Sequence, residues 1–321
     1  MNETRGKIEI FAPFGAALDL TKLILFQPFD IMKWLVIGFA AFLANLGGGG
    51  GGGFNLKRRF ASGDWNWRST SHDFTSTSSD LPGWVWPLII IGVLLLVAIV
   101  IALVWVSSRG KFVFTDCVVR NRAAIVEPWK AFRREGNSYF LFSLIVGLVL
   151  IVVFGIAGAP LWVPLVLSGN LPEGIGFVLG VSVLGIIAVG TAAALSLLCS
   201  FIVPIMYRQL CSATTAFRQS IVLIRQHPGP VLLYFLFSLV LWLAFALVAC
   251  VLTCVTCCIV AIPYVGTVIM LPAYVFFRSY LLLFVRQFGH DYDVWANVVP
   301  IEPPTPPETH SGGGELPPLQ T

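Results

Sequence analysis

The sequence predicts an all-α fold, a polytopic transmembrane bundle of six helices built as three repeats. Each repeat is an interfacial amphipathic helix followed by a transmembrane hairpin. Three observations carry this expectation. Of 321 residues, 57% are hydrophobic and only 11% charged, against about 25% charged in an ordinary soluble domain. Apolar stretches recur along the chain at roughly the 20 residues needed to cross about 30 Å of hydrocarbon. The hexapeptide Tyr-Phe-Leu-Phe-Ser-Leu occurs at 139–144 and again at 234–239, with Ala-Phe-Arg upstream at 131–133 and 216–218.

Composition also excludes classes of function. So little charge cannot cover a water-facing surface, which excludes a cytosolic globular enzyme. Twenty Lys and Arg against 16 Asp and Glu give a net charge of +4, too small for a nucleic-acid partner. Basic residues clustered beside a membrane would still matter.

The chain opens with an arm, 1–28, in which Phe14, Leu18 and Leu25 share one helical face near Lys22. The membrane domain is expected over 29–293. Its first span, Ile31–Leu46, has Asp30 and Lys33 at its mouth. The approach to it is longer and more apolar than the basic stretch of a cleaved signal peptide, so a retained span is expected. A loop over 47–83 follows, opening on seven consecutive glycines; such chain buries nothing and is expected to be flexible. Span two is Trp84–Val106, bounded by Trp84 and Trp86 outside and Trp105 inside, the depth aromatic rings prefer. The inner segment after it carries Arg109, Lys111, Arg120, Arg122, Lys130, Arg133 and Arg134. Within that segment Ile125, Trp129 and Phe132 form the second amphipathic stripe. Spans three and four are Tyr139–Ala159 and Gly176–Met206. Phe217, Ile221 and Ile224 form the third stripe, beside Arg218 and Arg225. Spans five and six are Val231–Val260 and Tyr264–Phe277 with its continuation. The tail, 294–321, is expected to be a disordered, proline-rich cytoplasmic spacer, with a docking peptide at Pro303–Pro307 as the alternative.

Orientation follows from Lys and Arg, which concentrate in the arm and in the segments after spans two and four. Those segments, and both termini, are therefore expected in the cytoplasm. The first outer loop, with Lys57, Arg58, Arg59 and Arg68, departs from the rule.

Chemistry inside the spans is sparse. None contains a carboxylate or a histidine, the groups that proton-coupled transport uses as relays. Arg278 is the ionisable residue in span six. By analogy with Arg109 after span two and Arg208 after span four it marks the cytoplasmic boundary and snorkels toward that side; the alternative is a buried anion or lipid-phosphate contact. Cys250, Cys254, Cys257 and Cys258 fall on one helical stripe. One continuous helix cannot wrap four ligands around an ion, so packing is favoured over redox chemistry or a metal. No phosphate loop, nucleophile elbow or paired catalytic carboxylates occur in the sequence. No catalytic residue, cofactor or metal is expected. Lys130, Arg133 and Arg134 form the candidate basic surface toward anionic headgroups.

The stretch Ile262–Asp293, IPYVGTVIMLPAYVFFRSYLLLFVRQFGHDYD, resembles the C-terminal end of uncharacterised bacterial polytopic membrane proteins, a family known as a domain of unknown function. The plan of helix plus hairpin resembles the membrane domain that some bacteria fuse to glycerophosphodiester phosphodiesterases. The resemblance implies the bacterial cytoplasmic membrane. It brings no catalytic residues, and no phosphodiesterase activity is inferred. The expected function is a non-enzymatic integral membrane protein that organises membrane lipids, an unidentified protein partner or further copies of itself. A transporter or channel for a lipid-like or weakly polar solute is the alternative.

Overall fold

In the computed structural model the described residues are 9, 11–46, 85–161, 163, 175–255 and 263–297. The expected glycine-rich loop, and the tail beyond Asn297, lie outside them. Among the described residues the regular elements are helices and no strand occurs. They are α1 (Phe11–Phe26), α2 (Ile31–Asn45), α3 (Val85–Val119), α4 (Val126–Ala131), α5 (Arg133–Ala157), α6 (Ile175–Gln209), α7 (Ala213–Gln226), α8 (Pro228–Val255), α9 (Pro263–Ile269) and α10 (Leu271–Arg286). Short 3-10 turns follow at His290–Tyr292 and Val294–Asn297.

Four of these helices are long and apolar enough to cross a membrane: α3, α5, α6 from Gly176, and α8 through Leu252. The architecture is that of an integral membrane protein. The other two expected spans differ. α2 is apolar but has 15 residues, about 22 Å at 1.5 Å per residue. The sixth is two helices, α9 and α10, divided at Met270. Pro272 lies in the first turn of α10, where a missing N–H costs nothing because first-turn amides have no partner within the helix.

The largest departure concerns the second span. It does not end near Val106: α3 continues unbroken to Val119, giving 35 residues and a length of about 52 Å. Its first half, through Ile101, is exposed apolar surface, whereas Ser107–Val119 is almost wholly buried. The buried half meets the buried end of α6 (Phe201–Tyr207) and the buried face of α10. There the core forms, lined by Phe112, Phe201, Phe284 and Tyr280. A ring stack of Tyr234 with Phe284 (4.2 Å) and Tyr280 (5.1 Å) fastens α8 to α10.

Helices occupy all three stretches expected to be amphipathic, and most of the apolar positions expected there turn toward the protein. Along α1, Pro13, Ala17, Thr21 and Ile24 are buried, with α10 as the main neighbour; Phe14 packs on Phe276 at 5.4 Å. Leu25 is buried and Leu18 exposed. Phe132 stacks on Tyr207 at 4.9 Å. Phe217 contacts Phe142 at 5.2 Å. Ser212 caps α7 by accepting from the Thr215 N–H, and Asp30 caps α2 by accepting from Met32, as short oxygen side chains do at helix starts.

Two tight contacts position the core. A Cβ added to Gly110 would lie 2.6 Å from the Leu43 carbonyl carbon and 2.7 Å from the Ala44 nitrogen, so only glycine lets α3 cross α2 here. Gly136 faces Arg109 as closely, at 2.7 Å from its Cγ. At the far end Val294 is buried, and the turn Val294–Asn297 packs on α6.

Candidate functional site

The buried half of α3 gathers most of the polar chemistry. Asp116 is 1% exposed and is satisfied from three directions. Its Oδ1 accepts from the Tyr207 hydroxyl of α6 (2.9 Å) and pairs with Arg120 Nε (3.0 Å). Its Oδ2 accepts from Arg122 Nη2 (3.1 Å) and Nε (3.3 Å). The chain reaches this arrangement through its helix end. Asn121 has φ 51°, and the Arg122 N–H bonds back to the Cys117 carbonyl at 3.2 Å, the long bond of a Schellman turn. Arg122 also pairs with Glu127 at 2.7 Å. Burial opposes its charge, yet Asp116 and then Glu127 hold its pKa above the usual guanidinium value.

Two turns earlier Arg109 lies against two indoles, its guanidinium carbon 4.5 Å from the Trp105 ring and 5.4 Å from Trp129. Asn137 Oδ1 accepts from Arg109 Nη2 (2.8 Å), Arg109 Nε (3.2 Å) and Trp105 Nε1 (3.2 Å). Aromatic faces attract cations, so this arginine is held by stacking and an amide instead of a carboxylate.

The third group joins α3, α5 and α10. Arg278 Nε donates to Thr115 Oγ1 at 2.9 Å, Nη2 donates to the Lys111 carbonyl at 3.0 Å, and Nη2 also contacts Thr115 Oγ1. Lys111 Nζ donates to the Tyr139 hydroxyl at 3.1 Å and stands 4.8 Å from that ring's centre. The arginine therefore turns inward onto α3. Snorkelling toward water does not describe it.

The remaining sequence-predicted residues are dispersed. Lys130, Arg133 and Arg134 are exposed at the junction of α4 and α5. Cys250 and Cys254 lie one turn apart on α8, Cys254 exposed; Cys257 and Cys258 lie outside the described residues. Among the described residues no three His, Cys, Asp or Glu side chains group as metal ligands. Elsewhere, burial pushes the Cys211 thiol, in the link before α7, above its usual range. A cleft of about 340 Å3 is lined by Arg208, Gln209, Gln219 and Asp291; both charge signs border it, so it favours neither.

A family model described as a family of unknown function, DUF7544, matches residues 9–286 and so takes in every helix from α1 to α10. The chain belongs to the DUF7544 family. No curated protein and no solved structure matches this DUF7544 chain.

Sequence reasoning found Arg278 in the DUF7544 chain but missed Lys111, Thr115, Asp116 and Tyr207 as parts of a site. The signal was present. Phe112, Val113, Phe114, Cys117, Val118 and Val119 continue the apolar pattern of span two. A lysine and a threonine four residues apart within that run share one helix face.

Proposed function

We propose that this protein is a non-enzymatic integral membrane protein that organises lipid or protein partners at the cytoplasmic membrane, with both termini in the cytoplasm. The observation that carries the reading is the exposed basic group Lys130, Arg133 and Arg134, set where α5 leaves the packed base for its apolar, exposed length. Basic side chains at that position attract anionic headgroups by about 1 kcal/mol each. The three-repeat plan of helix plus hairpin supports the reading, since it brings the basic segments to one side. The resemblance of Ile262–Asp293 to bacterial polytopic proteins supports the bacterial cytoplasmic membrane as the location.

The test uses the full chain in nanodiscs of mixed phosphatidylglycerol and phosphatidylcholine. Phosphatidylglycerol should be enriched around the protein, and both added salt and the triple change Lys130→Gln, Arg133→Gln, Arg134→Gln should reduce the enrichment. Equal lipid composition around wild type and triple variant would count against the reading. A second reading, a transporter or channel for a lipid-like or weakly polar solute, is favoured by Pro204 inside α6 and the division of the last segment at Met270. Broken or proline-bearing spans are where transporters place their sites. Solute flux in proteoliposomes, lowered by Pro204→Ala, would select it.

A further inference from the structure

The cations of the packed base differ in how their charge is answered. Arg120 and Arg122 share the Asp116 carboxylate, and Arg286 pairs with Asp293 at 3.1 Å. Arg109 is held against two indoles. Lys111 has only the Tyr139 ring, 4.8 Å from its ammonium, and Arg278 has neither arrangement. Among the described residues no carboxylate lies within ion-pair distance of either, and their partners are hydroxyls and one backbone carbonyl. Hydrogen bonds of this kind orient a charge without neutralising it. Holding two like charges in the packed base with no carboxylate to answer them is costly unless an anion joins them.

Geometry agrees with an anion. Both side chains keep partial exposure, so neither is sealed from a ligand. Arg278 Nη1 has no protein partner among the described residues. Lys111 uses one of the three hydrogens an ammonium offers. The unused donors therefore sit on the two groups whose charge is unanswered.

We propose that Lys111 and Arg278 form a binding site for a phosphate group, with Thr115 orienting the guanidinium and the Tyr139 hydroxyl orienting the ammonium. A guanidinium fork matches a phosphate's oxygens, and an ammonium beside it adds a point charge. The phosphate is carried by an anionic phospholipid headgroup or is free in solution. Basic pockets between membrane helices hold such headgroups in other proteins. Preference for the lipid rests on the proposed organising role; the site itself does not.

The experiment is native mass spectrometry of the full chain, delipidated in detergent and titrated with phosphatidylglycerol, with diacylglycerol, which lacks phosphate, or with inorganic phosphate. One phosphatidylglycerol should be retained, and Lys111→Gln should weaken retention roughly tenfold, the loss of one charge-assisted contact. Arg278→Lys, which keeps the charge but removes the fork, should weaken it as well. Lys22→Gln, which removes an exposed charge on α1, should retain it fully. Inorganic phosphate retained as tightly as the lipid would assign the site to a soluble phosphate; weaker retention would assign it to the headgroup. Loss in the triple variant with Lys111→Gln unaffected would overturn the site and leave the organising role standing. Should both site variants fail to fold, equal retention of diacylglycerol by the wild type would overturn the proposal equally well.

Discussion

At the scale of single residues, the packed base depends on Asp116. Its carboxylate is 1% exposed and draws together the hydroxyl of Tyr207 and the guanidiniums of Arg120 and Arg122. Asp116→Asn removes the charge that the two arginines face, and should lower stability by about 2–4 kcal/mol. Tyr207→Phe, which removes one hydrogen bond, should cost about 1–2 kcal/mol. Thermal unfolding of detergent-solubilised protein, followed by size-exclusion chromatography, measures both. Asp116→Asn no more harmful than Tyr207→Phe would show that the arginines do not need the carboxylate. Asp116 was not legible as a site because its partner Tyr207 lies 91 positions away. In sequence it is one isolated acid among basic neighbours. Arg278 was legible because a charge in an apolar run stands out. Its direction was not, since Thr115 is 163 positions distant.

At the scale of elements, the helices were readable and their ends were not. Stripes of apolar residues located α1, α4 and α7, but an apolar stripe is equally suited to lipid and to protein. Phe132 on Tyr207 and Phe217 on Phe142 show protein meeting it here. The reading of span two stopped at the first charges, Arg109 and Lys111. The helix does not stop, because each of those side chains finds a polar partner inside the fold. The crossing of α3 over α2 is an element-scale property concentrated at one position. Gly110→Ala places a methyl group against the backbone of Leu43 and Ala44, which neither side chain can relieve by changing rotamer. It should destabilise the protein by about 1–3 kcal/mol, as overpacking does. Gly92→Ala, in the exposed half of the same helix with open space around it, serves as the control. Comparable melting temperatures for the two variants would refute the close crossing.

At the scale of the whole molecule, the apolar lengths of α3, α5 and α8 are unburied by the protein itself, and the corresponding part of α6 nearly so. Their other ends converge on the shared core with α1, α2 and α10. Lipid is what the exposed lengths are suited to face, and the basic residues lie toward the converging base. A phosphatase domain fused after Thr321 should therefore be inactive in cells, because that enzyme requires export. The same domain inserted within 47–83 should be active. The reverse pattern would invert the proposed orientation.

The crossing at Gly110 divides α3 unequally. About 25 residues, near 37 Å, lie on the Val85 side, and six, near 9 Å, separate Gly110 from Asp116. With the crossing as fulcrum, a change of roughly 10° in tilt, within the range by which helices adjust to bilayer thickness, swings Val85 by about 6 Å. The same rotation shifts Asp116 by about 1.5 Å, enough to make or break a hydrogen bond. A rigid tilt about that crossing would therefore reach Asp116 at about a quarter of its size at Val85.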